Sequence, residues 1–352
     1  MAKILILNLG STSSKGALYH DLIEIKSFTL RHSTDDLAPY KKIIDQVDYR
    51  KKCVEDWMDH EGYKMNEIDI FCLRGGLVKP IPSGIFKINE SIVEDVKQER
   101  YGAHSSNVGL VIGYLWSLEY QKDAIFLNAP VTDELSDLAR FTGLKGVERR
   151  SVFHALNQKQ IALQYSKSIN KSYDSLNLVV CHLGGGISVG AHAKGRIVDV
   201  NNALDGEGPF SPERAGQLSN FMVLDLVESI KDIPSIRKLL AGKSGLVSHL
   251  NTNSMMEAIK LAAHDEYASK VIQAMIYQIA KQVGSMASVL RGDVDQILIT
   301  GGLAYNSEFV HQIIDYIKWI APVTVFPGED ELFALASGAV RYLTGEEGLK
   351  VY

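Results

Sequence analysis

Short apolar runs alternate along the chain with segments of helical periodicity. Residues 3–9 read Lys-Ile-Leu-Ile-Leu-Asn-Leu and stop at a glycine, which is typical of a strand buried on both faces. Similar runs occur at 178–183 and 296–300. Residues 108–118 and 265–290 instead carry apolar side chains three to four positions apart, so each is predicted to be a helix with one core-facing stripe. Strands that alternate with helices indicate an α/β fold.

The two halves of the chain share one pattern of strands and turns. A shift of 174 residues pairs Asn8 with His182, Gly10 with Gly184, Ser14 with Ser188 and Gly16 with Gly190. In both copies a buried strand leads through a small-residue turn into a second strand, a hairpin turn and a third strand. Chance alignment of a few glycines is the alternative. We predict a duplicated fold with domains at 1–150 and 151–352, in which a terminal helix near 332–345 packs back on the first domain.

Three glycine-rich turns follow buried strands. They read Asn8-Leu-Gly-Ser-Thr-Ser-Ser-Lys15, His182-Leu-Gly-Gly-Gly-Ile-Ser188 and Thr300-Gly-Gly-Leu-Ala-Tyr-Asn306. Ligands of open α/β sheets gather at the carboxyl ends of strands, and glycine lets the backbone approach a phosphate closely. Each turn alone is also compatible with an ordinary tight turn. Together they predict a nucleotide held between two domains.

Two familiar nucleotide motifs are excluded. Gly242-Lys-Ser244 has Arg237 where a P-loop needs its first glycine, and a helix-like stretch precedes it. Gly184-Gly-Gly-Ile-Ser-Val-Gly190 is followed at once by a strand, which leaves no room for the helix of a dinucleotide-binding turn. A dehydrogenase is therefore disfavoured.

Composition and charge exclude several classes of function. Hydrophobic residues at 46% and charged residues at 22% are ordinary for a soluble protein. A net charge of -5 provides no general field that attracts phosphates, so nucleic acid is not an expected partner and an anion must be bound by a local cluster. The three cysteines have no metal or disulfide spacing, which fits a cytoplasmic protein, and no segment is expected to span a membrane.

Several longer strings resemble the acetate and butyrate kinases. Besides the three turns, these strings are Arg74-Gly-Gly76, Phe153-His-Ala-Leu-Asn-Gln-Lys159 and the run from Asp199 to Arg214, Asp-Val-Asn-Asn-Ala-Leu-Asp-Gly-Glu-Gly-Pro-Phe-Ser-Pro-Glu-Arg. The resemblance covers nearly the whole chain, and the last two strings are most similar to butyrate kinases. It implies the fold shared with sugar kinases, heat-shock chaperones and actin: two ribonuclease-H-like domains around a nucleotide cleft. It also implies reversible transfer of phosphate from ATP to butyrate, with Mg²⁺ as cofactor, in a homo-oligomer.

The same resemblance implies roles for individual residues. It assigns substrate binding to Arg74 and His104, catalysis to Asp133, His154 and Arg214, and Mg²⁺ binding to Asn8 and Glu331. It assigns contacts with ATP to Ser11, Ser13, Lys15, His182, Gly184, Gly185, Gly186, Gly301, Gly302 and Asn306. A carboxylate is already a nucleophile, so such an enzyme needs cations that neutralise a transferring phosphoryl group more than it needs a strong base.

Other interpretations of individual residues, and of the function of the protein, stay open. His154 could be a satisfied core histidine at a helix start, Asp133 a helix cap and Arg214 a surface ion pair. Glu329 and Asp330 adjoin Glu331, and any of the three could reach the metal. A nucleotide-switched binding protein of the actin and chaperone kind is one alternative function. A sugar kinase with an aspartate base is another.

Overall fold

The computed structural model describes all residues from 1 to 352 and divides into two compact units. The first comprises Met1–Thr132 and Asp330–Tyr352, and the second comprises Asp133–Glu329. The sequence placed a boundary near residue 150, whereas the contacts in the structure group 133–150 with the second unit. No helix in the structure is both long enough and apolar enough to cross a bilayer.

The first unit is built on a seven-stranded sheet. Its elements are β1 Lys3–Leu9, β2 Ser13–His20, β3 Ile23–Arg31, α1 Thr34–Leu37, α2 Val47–His60, β4 Ile70–Arg74, β5 Ile85–Lys87, α3 Glu90–Lys97, α4 Ser105–Tyr120, β6 Asp123–Leu127, and, after the second unit, α13 Glu331–Leu343 and β12 Leu349–Lys350. The strand order is β12-β5-β6-β4-β1-β2-β3. The first three strands form an antiparallel meander, and β4 and β6 continue the sheet parallel to β1.

The second unit is built on a five-stranded sheet. Its elements are α5 Asp137–Arg140, α6 Ala155–Ser168, β7 Asn177–Leu183, β8 Ile187–Ala193, β9 Arg196–Val200, α7 Asn220–Ile230, α8 Ile233–Gly242, α9 Leu246–Leu250, α10 Met255–Ala262, α11 Glu266–Val289, β10 Gln296–Gly301, α12 Ser307–Ile317 and β11 Val323–Pro327. The strand order is β11-β10-β7-β8-β9. The strands β7, β8 and β9 are antiparallel, and β10 and β11 run parallel to β7.

Five strands of the first sheet, β6-β4-β1-β2-β3, repeat the topology of the second sheet, which confirms the predicted duplication. Each set begins with an antiparallel three-stranded meander and continues with two parallel strands beside the first of the three. The register of the meander shifts between Leu18 and Tyr19 in one sheet and between Ala191 and His192 in the other. These positions agree to within one residue under the 174-residue shift.

The local predictions from apolar periodicity are confirmed. The runs at 3–9, 178–183 and 296–300 are β1, β7 and β10, and every residue of β7 and β10 is buried. The second predicted helix is α11, which begins after its N-cap Asp265. The α11 stripe packs into the core of its unit, where Met275 is fully buried. Replacing such a side chain with alanine typically costs about 2–5 kcal/mol, so α11 contributes strongly to this core.

Candidate active site

A buried arginine stabilises the turn between β1 and β2. The sequence did not indicate it as a site residue. Arg50 of α2 is fully buried and donates to the carbonyl oxygens of Gly10 at 2.8 Å, Ser11 at 2.7 Å and Ser13 at 3.0 Å. Of the predicted nucleotide contacts on this turn, Ser11 and Lys15 are exposed and Ser13 is half-buried. The turn is therefore an ordered surface feature rather than a loose loop.

Three of the predicted site residues meet in the first unit. Arg74, at the end of β4, places Nη2 3.0 Å from Glu331 Oε1, and the Asn8 amide donates to Glu331 Oε2. Arg74 Nη1 is buried and has no hydrogen-bond partner. Buried guanidinium donors are normally satisfied, so this unpaired nitrogen marks a position where an anion can bind.

The three adjacent acidic residues near position 330 have separate contacts. Glu331 lies in the cluster with Arg74, Asp330 caps α13 by accepting from the Phe333 amide at 2.8 Å, and Glu329 Oε2 lies 3.3 Å from His182 Nε2. Glu331 is therefore the carboxylate that accompanies Asn8.

The residues around Asn8 fit a magnesium ion. Asn8 and Glu331 offer an amide oxygen and a carboxylate, and no group of three or more His, Cys, Asp or Glu side chains forms a closed metal cage. Magnesium prefers oxygen ligands, and it is commonly bound by one or two carboxylates together with substrate phosphates and water. The donor set thus has the chemistry that this ion needs.

His104 and Asn107 flank the loop that follows Arg74. His104 is the N-cap of α4 and its Nδ1 accepts from the Ser106 amide at 3.1 Å. Partial burial of the ring and then the positive charge of Arg74 lower the pKa of His104, although the residue keeps an exposed surface. The Asn107 side chain accepts from the Leu77 amide at 2.8 Å and fixes the loop. His104 is thus a largely neutral group close to Arg74.

Two histidines stack in the second unit. The rings of His154 and His182 lie 3.8 Å apart at 12°, and His182 is buried at the end of β7. His182 Nδ1 lies 2.8 Å from Asn157 Oδ1. His154 precedes α6 but makes no side-chain cap; its Nδ1 instead lies 2.9 Å from Ser188 Oγ. Asn157 and Ser188 therefore fix the two rings in parallel planes.

A chain of buried hydrogen bonds leads to His154. Gln158 Nε2 donates to the Ser188 carbonyl at 3.1 Å and to Ser188 Oγ at 2.9 Å, while Gln158 Oε1 lies 3.0 Å from His192 Nε2. His192 Nδ1 lies 2.7 Å from the Tyr173 hydroxyl. Burial and the charge of Lys159 hold the pKa of His192 well below its usual value, so this histidine is neutral.

The direction of these hydrogen bonds assigns the tautomer of His154. Gln158 Oε1 can only accept, so His192 carries its hydrogen on Nε2 and accepts from Tyr173 at Nδ1. Ser188 Oγ receives a hydrogen from Gln158 and can give its own to His154 Nδ1. A His154 ring that accepts this hydrogen at Nδ1 carries its own hydrogen on Nε2. This nitrogen is a hydrogen-bond donor.

Arg214 lies directly over the glycine turn between β7 and β8. Its Nη1 donates to the Ala203 carbonyl at 2.7 Å, its Nε is buried without a partner, and it forms no ion pair. A Cβ at Gly186 would lie 2.2 Å from Arg214 Nη1, whereas one at Gly185 would meet nothing closer than 3.7 Å. Desolvation lowers the pKa of Arg214, opposed by the charge of Glu213, yet a guanidinium stays charged at neutral pH.

Asp133 is paired with an arginine that the sequence did not suggest. Arg140 donates to the two carboxylate oxygens of Asp133 at 2.7 and 2.8 Å, and these bonds raise the pKa of Arg140. Asp133 also accepts from the Leu135 amide at 3.1 Å. This bidentate geometry occupies the carboxylate, so Asp133 orients a cation in the structure and is poorly placed to accept a substrate proton.

The third glycine turn follows β10. Gly301 has a φ of 94°, and a Cβ there would lie 2.2 Å from the Leu183 carbonyl oxygen, so glycine is required. A Cβ at Gly302 would face open space. Asn306 accepts from the Phe309 amide at 2.8 Å and is the N-cap of α12. Its side-chain oxygen therefore has a structural partner within the turn.

Comparison with solved structures identifies the class of fold. The chain superimposes on an acetate kinase from Porphyromonas gingivalis with a TM-score of 0.79, covering 97% of this chain and 100% of that one at 18% identity. This is the actin-like ATPase fold, built from two ribonuclease-H-like copies as predicted.

Sequence comparison identifies the family. The model of the acetokinase family matches residues 139–320. A probable butyrate kinase from Clostridium botulinum is 44% identical over 352 residues, covering 99% of each chain. Butyrate kinase 2 from Clostridium acetobutylicum is also 44% identical, with the same coverage. The chain belongs to the acetokinase family, which confirms the prediction of a kinase and disfavours a nucleotide-switched binding protein.

Proposed function

We propose that the protein transfers the γ-phosphoryl group of ATP to the carboxylate of butyrate, giving butyryl phosphate and ADP in a reversible reaction. One carboxylate oxygen forms a bond to the γ-phosphorus while the bond to the bridging oxygen of ADP breaks in line with it. The relatives that bear the name butyrate kinase support this substrate. The observation that carries the proposal is that each unit contains one buried guanidinium nitrogen without an acceptor in the protein: Arg74 Nη1 in the first unit and Arg214 Nε in the second.

In the first unit, we assign the acid and the metal to one cluster. Arg74 binds the butyrate carboxylate through its unpaired Nη1, and neutral His104 lies beside it. Asn8 and Glu331 would hold Mg²⁺, which would neutralise charge on the phosphates when bound. Because Arg74 also pairs with Glu331, metal binding to this carboxylate would weaken that ion pair and leave Arg74 more available to the substrate.

In the second unit, the proposed groups act on the phosphoryl. Arg214 offers its charge to the equatorial oxygens, and His154 donates from Nε2. Asp133 acts indirectly by holding Arg140 in a fixed position. Since the carboxylate nucleophile carries no proton to remove, the reaction uses these donors for charge stabilisation, and a general base is not needed.

The remaining predicted contacts belong to the nucleotide. Besides Ser11, Ser13 and Lys15 of the first turn, they are His182, Gly184, Gly185, Gly186, Gly301, Gly302 and Asn306. We assign them to ATP on the strength of the three glycine turns. For Asn306 we restrict the assignment to its side-chain amide nitrogen, because its side-chain oxygen caps α12 and its backbone N–H donates to the Leu303 carbonyl at 3.1 Å.

A hydroxamate assay tests the reaction and the substrate together, because hydroxylamine traps acyl phosphates. Each buried CH₂ contributes about 0.8 kcal/mol, so butyrate should exceed acetate in kcat/KM by roughly tenfold. The yield should fall again for hexanoate once the acid outgrows its pocket. A maximum at acetate would contradict the assignment to butyrate. Phosphorylation of sugars without hydroxamate formation would instead support a sugar kinase.

We also propose that the protein is a cytoplasmic homo-oligomer, a dimer or larger. Free Cys72 and Cys181 are buried, and burial raises the pKa of both thiols well above its usual value, which suits a reducing compartment. Light scattering coupled to size exclusion should give at least twice the chain mass of 38.9 kDa. A single peak at the chain mass would contradict the oligomer.

A further inference from the structure

Arg50 is unusual because it is a buried cation without an acidic partner. The residue is fully buried, and its guanidinium donates only to neutral oxygens: the Gln46 side chain at 2.9 Å and the carbonyls of Gly10, Ser11 and Ser13. Burial lowers the pKa of Arg50, but the group remains charged at neutral pH. Burying an uncompensated charge is costly, so its retention calls for a functional explanation.

The contacts of Arg50 determine where the peptide groups of the turn point. A trans peptide directs its carbonyl and its amide N–H in opposite directions. With the carbonyls of Gly10 and Ser11 held against Arg50, the N–H groups of Ser11 and Thr12 point away from it. The Thr12 carbonyl is likewise occupied, because it accepts from the His32 amide at 2.9 Å.

The two outward N–H groups are available to a ligand. Ser11 and Thr12 are exposed, lie outside the strands, and donate no backbone hydrogen bond within the protein. Successive free N–H groups in a tight turn form a concavity that binds anions. The charge of Arg50 lies behind them and contributes to lowering the pKa of neighbouring His32. Both features favour a polyanion at this turn.

We propose that Arg50 is a positioning residue for the polyphosphate of the nucleotide: it orients the Ser11 and Thr12 amides toward the phosphates and supplies a positive charge behind them. This inference rests on the proposed use of ATP. Arg50 itself is buried beneath the turn and does not touch the ligand. The contribution of Arg50 to binding affinity should therefore grow with the number of phosphates on the ligand and be absent for the nucleoside.

Binding measurements on variants separate this role from a purely structural one. Arg50→Met should weaken ADP binding by roughly 10- to 100-fold, the range expected for lost charge-assisted hydrogen bonds. Adenosine affinity should stay within about twofold of wild type. The ADP affinity of Arg50→Lys should lie between those of wild type and Arg50→Met, because lysine keeps the positive charge but lacks the forked guanidinium that bonds several carbonyls. Lys52→Met is the matched control, since Lys52 lies on α2 but is exposed and paired with Asp56; its ADP affinity should be unchanged.

Measurements on the wild-type protein guard against variants that fail to fold. On addition of ADP, the amide resonances of Ser11 and Thr12 should shift, and adenosine should leave them in place. Unmoved resonances in the presence of bound ADP would overturn the inference, as would equal loss of ADP and adenosine affinity in Arg50→Met. If the wild-type protein bound no adenine nucleotide, the proposed function would fail as well, so the two failures are distinguishable.

Discussion

Replacing Gly186 with alanine should disable the enzyme without unfolding it. The added Cβ would lie 2.2 Å from Arg214 Nη1 and 2.7 Å from Cζ. A Cβ essentially never lies closer than 3.0 Å to a heavy atom to which it is not bonded, and the obstructing group is the far end of a flexible side chain. The backbone at Gly186 does not have a positive φ, so alanine adds no strain there. We therefore expect the guanidinium to move and the turn to stay.

The size of the effect follows from the required displacement. Arg214 Nη1 must retreat by roughly 0.8 Å, which disrupts its 2.7 Å bond to the Ala203 carbonyl and its alignment with the phosphoryl oxygens. A misplacement of about 1 Å can cost about 100-fold in rate, equivalent to about 2.7 kcal/mol in the activation barrier. The free energy of unfolding should change by less than about 1 kcal/mol, because a glycine-to-alanine change also reduces the entropy of the unfolded chain.

The neighbouring glycine provides the control. A Cβ at Gly185 would approach Glu213 Oε2 only to 3.7 Å, an ordinary contact in the same turn. Hydroxamate formation from saturating butyrate and ATP should fall about 100-fold in Gly186→Ala. In Gly185→Ala it should fall less than threefold, because a change in the proposed contact of Gly185 with ATP would alter the KM for ATP rather than the rate at saturation. Retention of more than about a third of the rate in Gly186→Ala, or equal losses in both variants, would refute the role given to Arg214.

Three further predictions follow from the second unit. Arg214→Ala should lower kcat by roughly 100- to 1000-fold while changing the Kd for ATP far less; a folded variant with more than a tenth of wild-type turnover would contradict this. Asp133→Asn should lower kcat without creating a requirement for higher pH, because Asp133 holds Arg140 and removes no proton; a loss rescued by raising the pH would indicate a base. Finally, His192 has a folded pKa well below its unfolded value of 6.5, so the stability it contributes is present above pH 6.5 and is lost as the pH falls below it. Urea unfolding at pH 5.5 should show a loss of about 1.4 kcal/mol relative to pH 7.5 that His192→Asn lacks; an equal loss in both proteins would contradict the assignment.

Much of the fold could be predicted from the sequence because its signals are local. Buried strands such as β1 and β7 are continuous apolar runs that end at glycine, and the 174-residue shift aligned their turns. That shift also paired Ser14 with Ser188, and in the structure each serine hydroxyl contacts a histidine. The boundary between the two units at Thr132 and Asp133 depends on contacts far apart in sequence, so no local pattern locates it.

The site was only partly predictable for the same reason. Arg74, His154 and Arg214 stood out through family resemblance, whereas Arg50 did not. Arg50 belongs to a run of three basic residues on a helix, a pattern typical of a solvated face, and its burial depends on a turn about forty residues earlier. The hydrogen bonds from Gln158 to Ser188 likewise join residues thirty positions apart. Such roles become visible only when tertiary contacts are known.

The proposed reaction requires that a butyrate oxygen attacks the γ-phosphorus of ATP. Butyrate labelled with ¹⁸O in both carboxyl oxygens, incubated with the enzyme, Mg²⁺ and ATP, tests it directly by ³¹P NMR. We predict a butyryl phosphate resonance with the upfield shift of one ¹⁸O bonded to phosphorus, formed together with one ADP. Formation of inorganic phosphate alone, at a rate independent of butyrate, would contradict the account.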